Sequence, residues 1–448
     1  MAQEAPEAQT EDKTDPHGDS HNHLGGLPSE LFDKILFEIN AIRDLAHFIA
    51  TARFVYQRFR VQTRAVLFRV LQNELGPVLA DARFLFVFPY SDPTDQLRYI
   101  EWIQLMANVY HGILGGSNTE DGMPIRGDAL PHLEELKALC RALHQINFIA
   151  DMYATARLAS FDLGGGGGAP ATAPLSPLER RRLVRSFYRR QILSNAWAAT
   201  RRPKHWTLED TAAISNSSTH QGEELGLLGT LEPWEMQQID HADVFITRLC
   251  LALVHHSPQT ANGAPGIPPR QFDELFAHLH RLVQFLQTHG GVAERAARDL
   301  AAAMELAHCA RLRDEYVNPY QMTPLRLAWQ ADRAASFPDP VTDKWDRDGL
   351  VVPYVGDGLD LAPYGWLDAL GGRYVKWFGE GLHSIPWLPT RQSHSQSSDQ
   401  CNNALHLWRH AGFCLWDRKR VEALKGLGMF GGELYTGWVL NRLIERHD

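Results

Sequence analysis

Apolar side chains recur at intervals of three and four residues through most of this chain, and strict alternation with period two is nowhere sustained. A helix buries a stripe with the first spacing and a half-buried strand needs the second, so the pattern restricts the chain to an all-α fold. From Leu27 to about Leu75 the apolar residues are dense and form three short periodic segments, parted at Asn40-Ala41 and at Ala52-Arg53. Helical spacing returns over 92–114, 129–160, 177–199, 231–256, 270–289, 293–316 and 417–446. No self-similarity of fixed period marks a helical solenoid. A length of 448 residues leaves room for two or three domains of roughly 150 residues, or for one large helical body.

The breaks between these segments differ in composition. Residues 1–25 are rich in Glu, Asp, His, Gln and Pro and nearly empty of branched apolar side chains, which predicts a disordered tail. Gly164 to Gly168, followed by an Ala-Pro-rich stretch, reads as a surface loop. Residues 336–390 combine many Pro and Gly residues with Trp345, Tyr354, Tyr364, Trp366, Tyr374, Trp377 and Trp387, too much aromatic area to leave in water. The expected organisation is therefore a tail over 1–25 and a three-helix unit over 26–75. A large irregular helical body follows over 76–335, with an aromatic-rich irregular segment and C-terminal helices over 336–448 packed on it.

Composition excludes several classes of function. Lys plus Arg is 44 against 53 for Asp plus Glu, a net charge of -9 that disfavours nucleic acid as a partner. The five cysteines include no C-x-x-C pair, so neither a disulfide framework nor a zinc ribbon is indicated. No run of about 18 uncharged apolar residues predicts a membrane span, and residues 1–7 lack the basic start and apolar run of a secretory signal. A cytoplasmic or nuclear protein is expected.

Local signatures of chemistry are also weak. Gly426-x-Gly428-x-x-Gly431 has the spacing of a dinucleotide loop but follows a helical segment, where glycine more simply ends a helix. Glu305-x-x-His308 and Glu380-x-x-His383 have the spacing of di-iron ligands, yet Gly379 and Gly381 flank the second pair. Cys140 and His144 lie one helical turn apart and supply at most half of a zinc site. No catalytic, cofactor-binding or metal-binding residue is predicted. Arg180, Arg181, Arg182, Arg185, Arg189 and Arg190 read as a solvated helix face with acidic neighbours from elsewhere in the fold.

The strongest signal lies between Leu27 and Tyr56. On a helical wheel Leu27, Pro28, Leu31, Phe32, Ile35, Leu36 and Ile39 fill about half the circumference, more than one neighbour requires, which suggests contact with the helix's own domain on one flank and another body on the other. The sequence Leu27-Pro28-Ser29-Glu30-Leu31, then Ile35-Leu36, Ile39, Asp44-Leu45 and Thr51-Ala52-Arg53 ending at Tyr56, resembles the F-box motif. Many F-boxes carry Val or Cys before a basic residue and then Trp, where this chain has Ala52-Arg53 and Tyr56. The remainder is similar to fungal F-box-like proteins through residues 70–79 and 412–420. The resemblance implies docking to a Skp-type adaptor and through it to a cullin-based ubiquitin ligase, with the helical body selecting an unknown protein substrate and no catalysis in the chain itself. It places Leu27, Pro28, Leu31, Ile35, Leu36 and Leu45 in the adaptor-binding set. An F-box-like scaffold that makes no ligase is the first alternative, and exposure of Leu27, Leu31 and Leu36 separates the two; a helical enzyme is the second alternative, marked by a polar pocket with converging carboxylates or imidazoles.

Overall fold

The computed structural model describes residues 26–88, 96–114, 130–161, 169–197, 226–227, 231, 233–257, 267, 269–303, 356–365, 412 and 414–426. Among them every regular element is helical and no strand occurs, so the fold is all-α. The chain divides into two compact units between Gly76 and Pro77.

The first unit contains α1 (Ser29–Glu38), α2 (Ile42–Thr51), α3 (Arg53–Val61) and α4 (Thr63–Leu75). The third periodic segment of the sequence is thus two helices, not one, and the expected three-helix unit has four. The break falls at Gln62, whose backbone leaves helical angles at φ -123°, ψ 26°. The side chains of the corner work against a continuous helix: the Thr63 hydroxyl donates back to the Phe59 carbonyl at 3.1 Å, and the Gln62 amide donates to Asp33 at 2.8 Å. Phe32, Leu36, Leu45, Val55, Phe59, Val66 and Val70 form the core. The Phe32 ring stacks on Phe48 at 5.9 Å and meets Phe54 edge-on at 5.7 Å.

Polar side chains fix the corner between α1 and α2. Asn73 donates from Nδ2 to the carbonyls of Phe37 and Ile39 at 2.8 and 3.0 Å, and Glu74 accepts from the Ile42 N–H at 2.8 Å. These are backbone groups that helix ends leave without intrahelical partners, so the last turn of α4 holds the end of α1 and the start of α2 in one arrangement.

The second unit contains a 3-10 turn (Gly76–Val78), whose first residue lies at the boundary, and then α5 (Leu79–Val87), α6 (Gln96–Leu114), α7 (Leu133–Ala159), α8 (Ala169–Thr172) and α9 (Pro177–Trp197). It continues with α10 (Pro233–His256), α11 (Pro269–Ala277), α12 (Leu279–Thr288), α13 (Gly290–Ala303) and α14 (Arg418–Gly426). Helix α9 is the axis of this unit, packed by α5, α7, α10 and α11. The helix expected over 270–289 is interrupted at His278, which is extended at φ -128°, ψ 105°. Gln191 of α9 accounts for that break, donating to the Ala277 carbonyl at 3.0 Å and accepting from the Leu279 N–H at 2.8 Å.

Of the segment over 336–390, only 356–365 falls within the described residues. The tail over 1–25, Glu305, His308, Glu380, His383, Gly428 and Gly431 lie outside them, as do the tryptophans from Trp329 to Trp408.

Candidate functional site

Two places concentrate side chains whose arrangement needs explaining: the outer face of α1 and the polar interior around α9. The first helix starts at Ser29, with Pro28 at its N-cap, φ -52° and ψ 144°. The Pro28 carbonyl accepts from the N–H groups of Leu31 and Phe32, both at 3.1 Å. Proline therefore both sets the entry angle and opens the hydrogen-bond ladder, and Glu30 faces the positive end of the dipole.

The wide apolar arc is divided along its length. Pro28 is exposed, Leu31 is 48% exposed and Ile35 36%, while Leu27 is half-buried. Phe32 and Leu36, turned roughly 60–140° further round, belong to the core, and Leu36 is fully hidden. Leu45 on α2 is 2% exposed. The six residues assigned to adaptor binding thus separate: Pro28, Leu31 and Ile35 lie open and Leu27 partly so. Leu36 and Leu45 must be withdrawn from the contact surface, because both fill the core of their own unit. Tyr56 and Val61 on α3 are large exposed apolar residues of the same unit that the sequence did not mark as surface. On the opposite side of α1, Asp33 accepts a two-pronged ion pair from Arg58, at 2.8 and 2.6 Å. That hydrogen bond holds the Asp33 carboxyl below its ordinary range, against the smaller opposing effect of burial.

The arginines of α9 contradict the expected solvated face. Arg182, Arg185, Arg189 and Arg190 are all buried, while Arg180 keeps an open ion pair, with Asp151 at 2.7 Å. Buried guanidinium groups cannot neutralise themselves, so each must be met by an opposite charge. Arg182 pairs with Asp417 at 2.8 Å, and Arg190 with Asp243 at 3.1 Å. Arg189 pairs with Asp81 at 2.8 Å and Glu235 at 2.7 Å. Arg185 reaches Asp360 at 2.7 Å, Glu235 at 3.3 Å and Asp81 at 3.4 Å. Tyr110 also donates its hydroxyl to Asp81. Burial is the largest single effect and opposes the charge on Arg189, but Asp81, Tyr110 and Glu235 together outweigh it, so its proton is held more tightly than usual. Burial pushes the Tyr110 phenol well above its ordinary value.

The start of α9 carries a reciprocal cap. Ser176 accepts from the Glu179 N–H at 3.1 Å and Glu179 accepts from the Ser176 N–H at 2.9 Å, with Pro177 as the first helical residue. The same Glu179 carboxylate pairs with Arg420 at 2.8 Å and accepts from the Asp417 N–H at 3.1 Å. Ser176 donates its hydroxyl to Asp417. Ser176-Pro177-Leu178-Glu179 is a local signal from which the helix start was legible, whereas its bond to Arg420 was not. Chemically, this interior binds chain to chain: guanidinium and carboxylate groups close on one another, and the segments around 358 and 415 are tied to α9 through Arg182, which donates to the Gly358 and Leu415 carbonyls.

Cys140 is half-buried and His144 exposed on α7. Among the described residues no group of three or more His, Cys, Asp or Glu side chains is placed to hold a metal ion. No described helix is long and apolar enough to cross a membrane. No protein family, no curated protein and no solved structure matches this chain.

Proposed function

We propose that the protein is an F-box-type substrate adaptor. In this reading the first unit docks on a Skp-type adaptor and through it a cullin, and the helical body presents a surface to a protein substrate. The observation that carries the reading is the divided arc of α1: Phe32 and Leu36 hold the helix in its own core, while Pro28, Leu31 and Ile35 leave a row of apolar side chains open. A helix of ten residues that needed only its own core would carry a narrower stripe. The docking set under this proposal is Leu27, Pro28, Leu31 and Ile35. Leu36 and Leu45 support it from within, by fixing the position of α1 and α2.

The test is co-purification from a cell carrying the ligase components, with Leu31→Asp as the perturbation. A carboxylate at an apolar contact carries a heavy desolvation cost and should abolish capture of the adaptor. A variant that keeps its helical circular dichroism and still binds the adaptor with unchanged affinity refutes the assignment of this face. The second reading, a scaffold that makes no ligase, draws on the interior position of Leu36 and Leu45. It predicts that wild-type protein recovers neither adaptor nor cullin.

A further inference from the structure

One arginine of the second unit does not follow the rule set by α9. Arg157 stands in the last turn of α7 with 3% of its surface exposed, and its Nε and Nη1 are buried without an acceptor. One turn earlier on the same face, the hydroxyl of Tyr153 is buried too, with the Arg157 guanidinium as the group that acts on it by hydrogen bonding. The guanidinium of Arg157 lies 5.8 Å from the centroid of the Tyr153 ring. A buried positive charge that cannot deprotonate is stable only beside a matching negative charge, as Arg182, Arg185, Arg189 and Arg190 illustrate nearby.

The surroundings supply walls. Phe187 and Phe245 meet the Tyr153 ring edge-on at 6.5 and 5.1 Å. Gly412, at φ +79°, brings its backbone so close that a Cβ there would stand 2.9 Å from the Tyr153 hydroxyl oxygen and 3.3 Å from the Trp416 ring. The adjoining chain is held in place, the Cys414 carbonyl accepting from Gln238 at 2.9 Å and the Leu415 carbonyl from Arg182 at 3.2 Å.

We infer that Arg157 and the Tyr153 hydroxyl form a binding site in the second unit for a small oxyanion group, a phosphate or a carboxylate. Such a group accepts from a guanidinium N–H and a phenolic O–H at once and supplies the missing negative charge. The site is independent of the adaptor reading, since it lies in the other unit.

The experiment is thermal unfolding of the full chain in chloride buffer at constant ionic strength, titrated with inorganic phosphate in one arm and acetate in the other. The expected result is a saturable rise in midpoint, about 3–6 °C at a hundredfold excess over Kd, in at least one arm. A response to phosphate alone assigns a phosphoryl ligand, and a response to acetate alone a carboxylate. Arg157→Met should lose the response and, without anion, unfold at a higher temperature than wild type, because an unmatched buried charge has been removed. Tyr153→Phe should keep the fold and weaken anion affinity roughly 5- to 10-fold, the loss of one hydrogen bond. Absence of a saturable shift in wild type overturns the inference. An equal shift in Arg157→Met, which marks a general salt effect, also overturns it. So does an Arg157→Met protein that is less stable than anion-free wild type or unfolded, since a carboxylate of the chain would then already serve Arg157.

Discussion

Asp81 is the side chain on which the interior of the second unit most depends, and its substitution gives the sharpest test of the charge network. The carboxylate is fully buried and receives Arg189 at 2.8 Å, Arg185 at 3.4 Å and the Tyr110 hydroxyl. Asp81→Asn preserves shape and one acceptor but removes the charge. Among the described residues Arg185 and Arg189 then share Glu235 as their one buried carboxylate, because Asp360 keeps 65% of its side chain in solvent. Loss of a single neutral hydrogen bond would cost about 1 kcal/mol, whereas breaking a buried pair and leaving its partner charged costs about 3–5 kcal/mol. Glu235 offsets part of the loss, so the lower end of that range, about 3 kcal/mol, is expected. Asp81→Ala also leaves the Tyr110 hydroxyl without its acceptor and should reach the upper end. Urea unfolding followed by tryptophan fluorescence measures the change, with an unchanged slope showing that the native and unfolded states keep their compactness. Adding Arg189→Met to Asp81→Asn should recover part of the loss, with a coupling of at least about 1.5 kcal/mol. A single-variant loss below about 1 kcal/mol, or additivity within about 0.5 kcal/mol, would refute the view that these charges are held as a buried network.

Leu36→Ala should destabilise the first unit by about 2–5 kcal/mol through the cavity it leaves, while Leu31→Ala, on the open face, should stay within about 0.5 kcal/mol; chemical denaturation of both variants compares them directly. Asp33 has its folded-state pKa below the ordinary 3.8, so its pairing with Arg58 stabilises fully above that value and fades as pH falls beneath it. Acid unfolding of Asp33→Asn should accordingly show a flatter pH dependence below about pH 4 than wild type, and an unchanged acid limb would count against the pairing. Burial pushes the Cys250 thiol up to about 12, so peptide mapping after native iodoacetamide treatment at pH 8 should find Cys250 unmodified and the half-buried Cys140 labelled.

How much of this was legible in the sequence depends on how far each decisive contact reaches along the chain. The bounds of α9 were close to the expected 177–199, since helical spacing and the Pro177 start are local. The burial of its arginines was not legible, because their carboxylates come from positions such as Asp81 and Asp417, more than a hundred residues away along the sequence. Helix α5 was missed altogether: Leu79, Asp81, Ala82, Arg83 and Phe84 are all buried, so no apolar stripe marks it against a polar face. In the first unit the opposite held. The α1 arc was wider than one core needs, and Phe32 and Leu36 entered the core of the unit while Leu31 and Ile35 stayed open. What spacing alone did not decide was which half of the arc would turn inward, a choice made by α4 through Asn73 and Glu74. The same limit applies within the arginines. Arg157 and Arg182 both sit on helices, and both are buried, yet one meets Asp417 and the other meets no acceptor at Nε or Nη1. In a chain with nine more carboxylates than Lys and Arg together, an unmatched guanidinium is not a matter of supply. It is a matter of placement, and placement against a charge from outside the chain is what the anion titration measures.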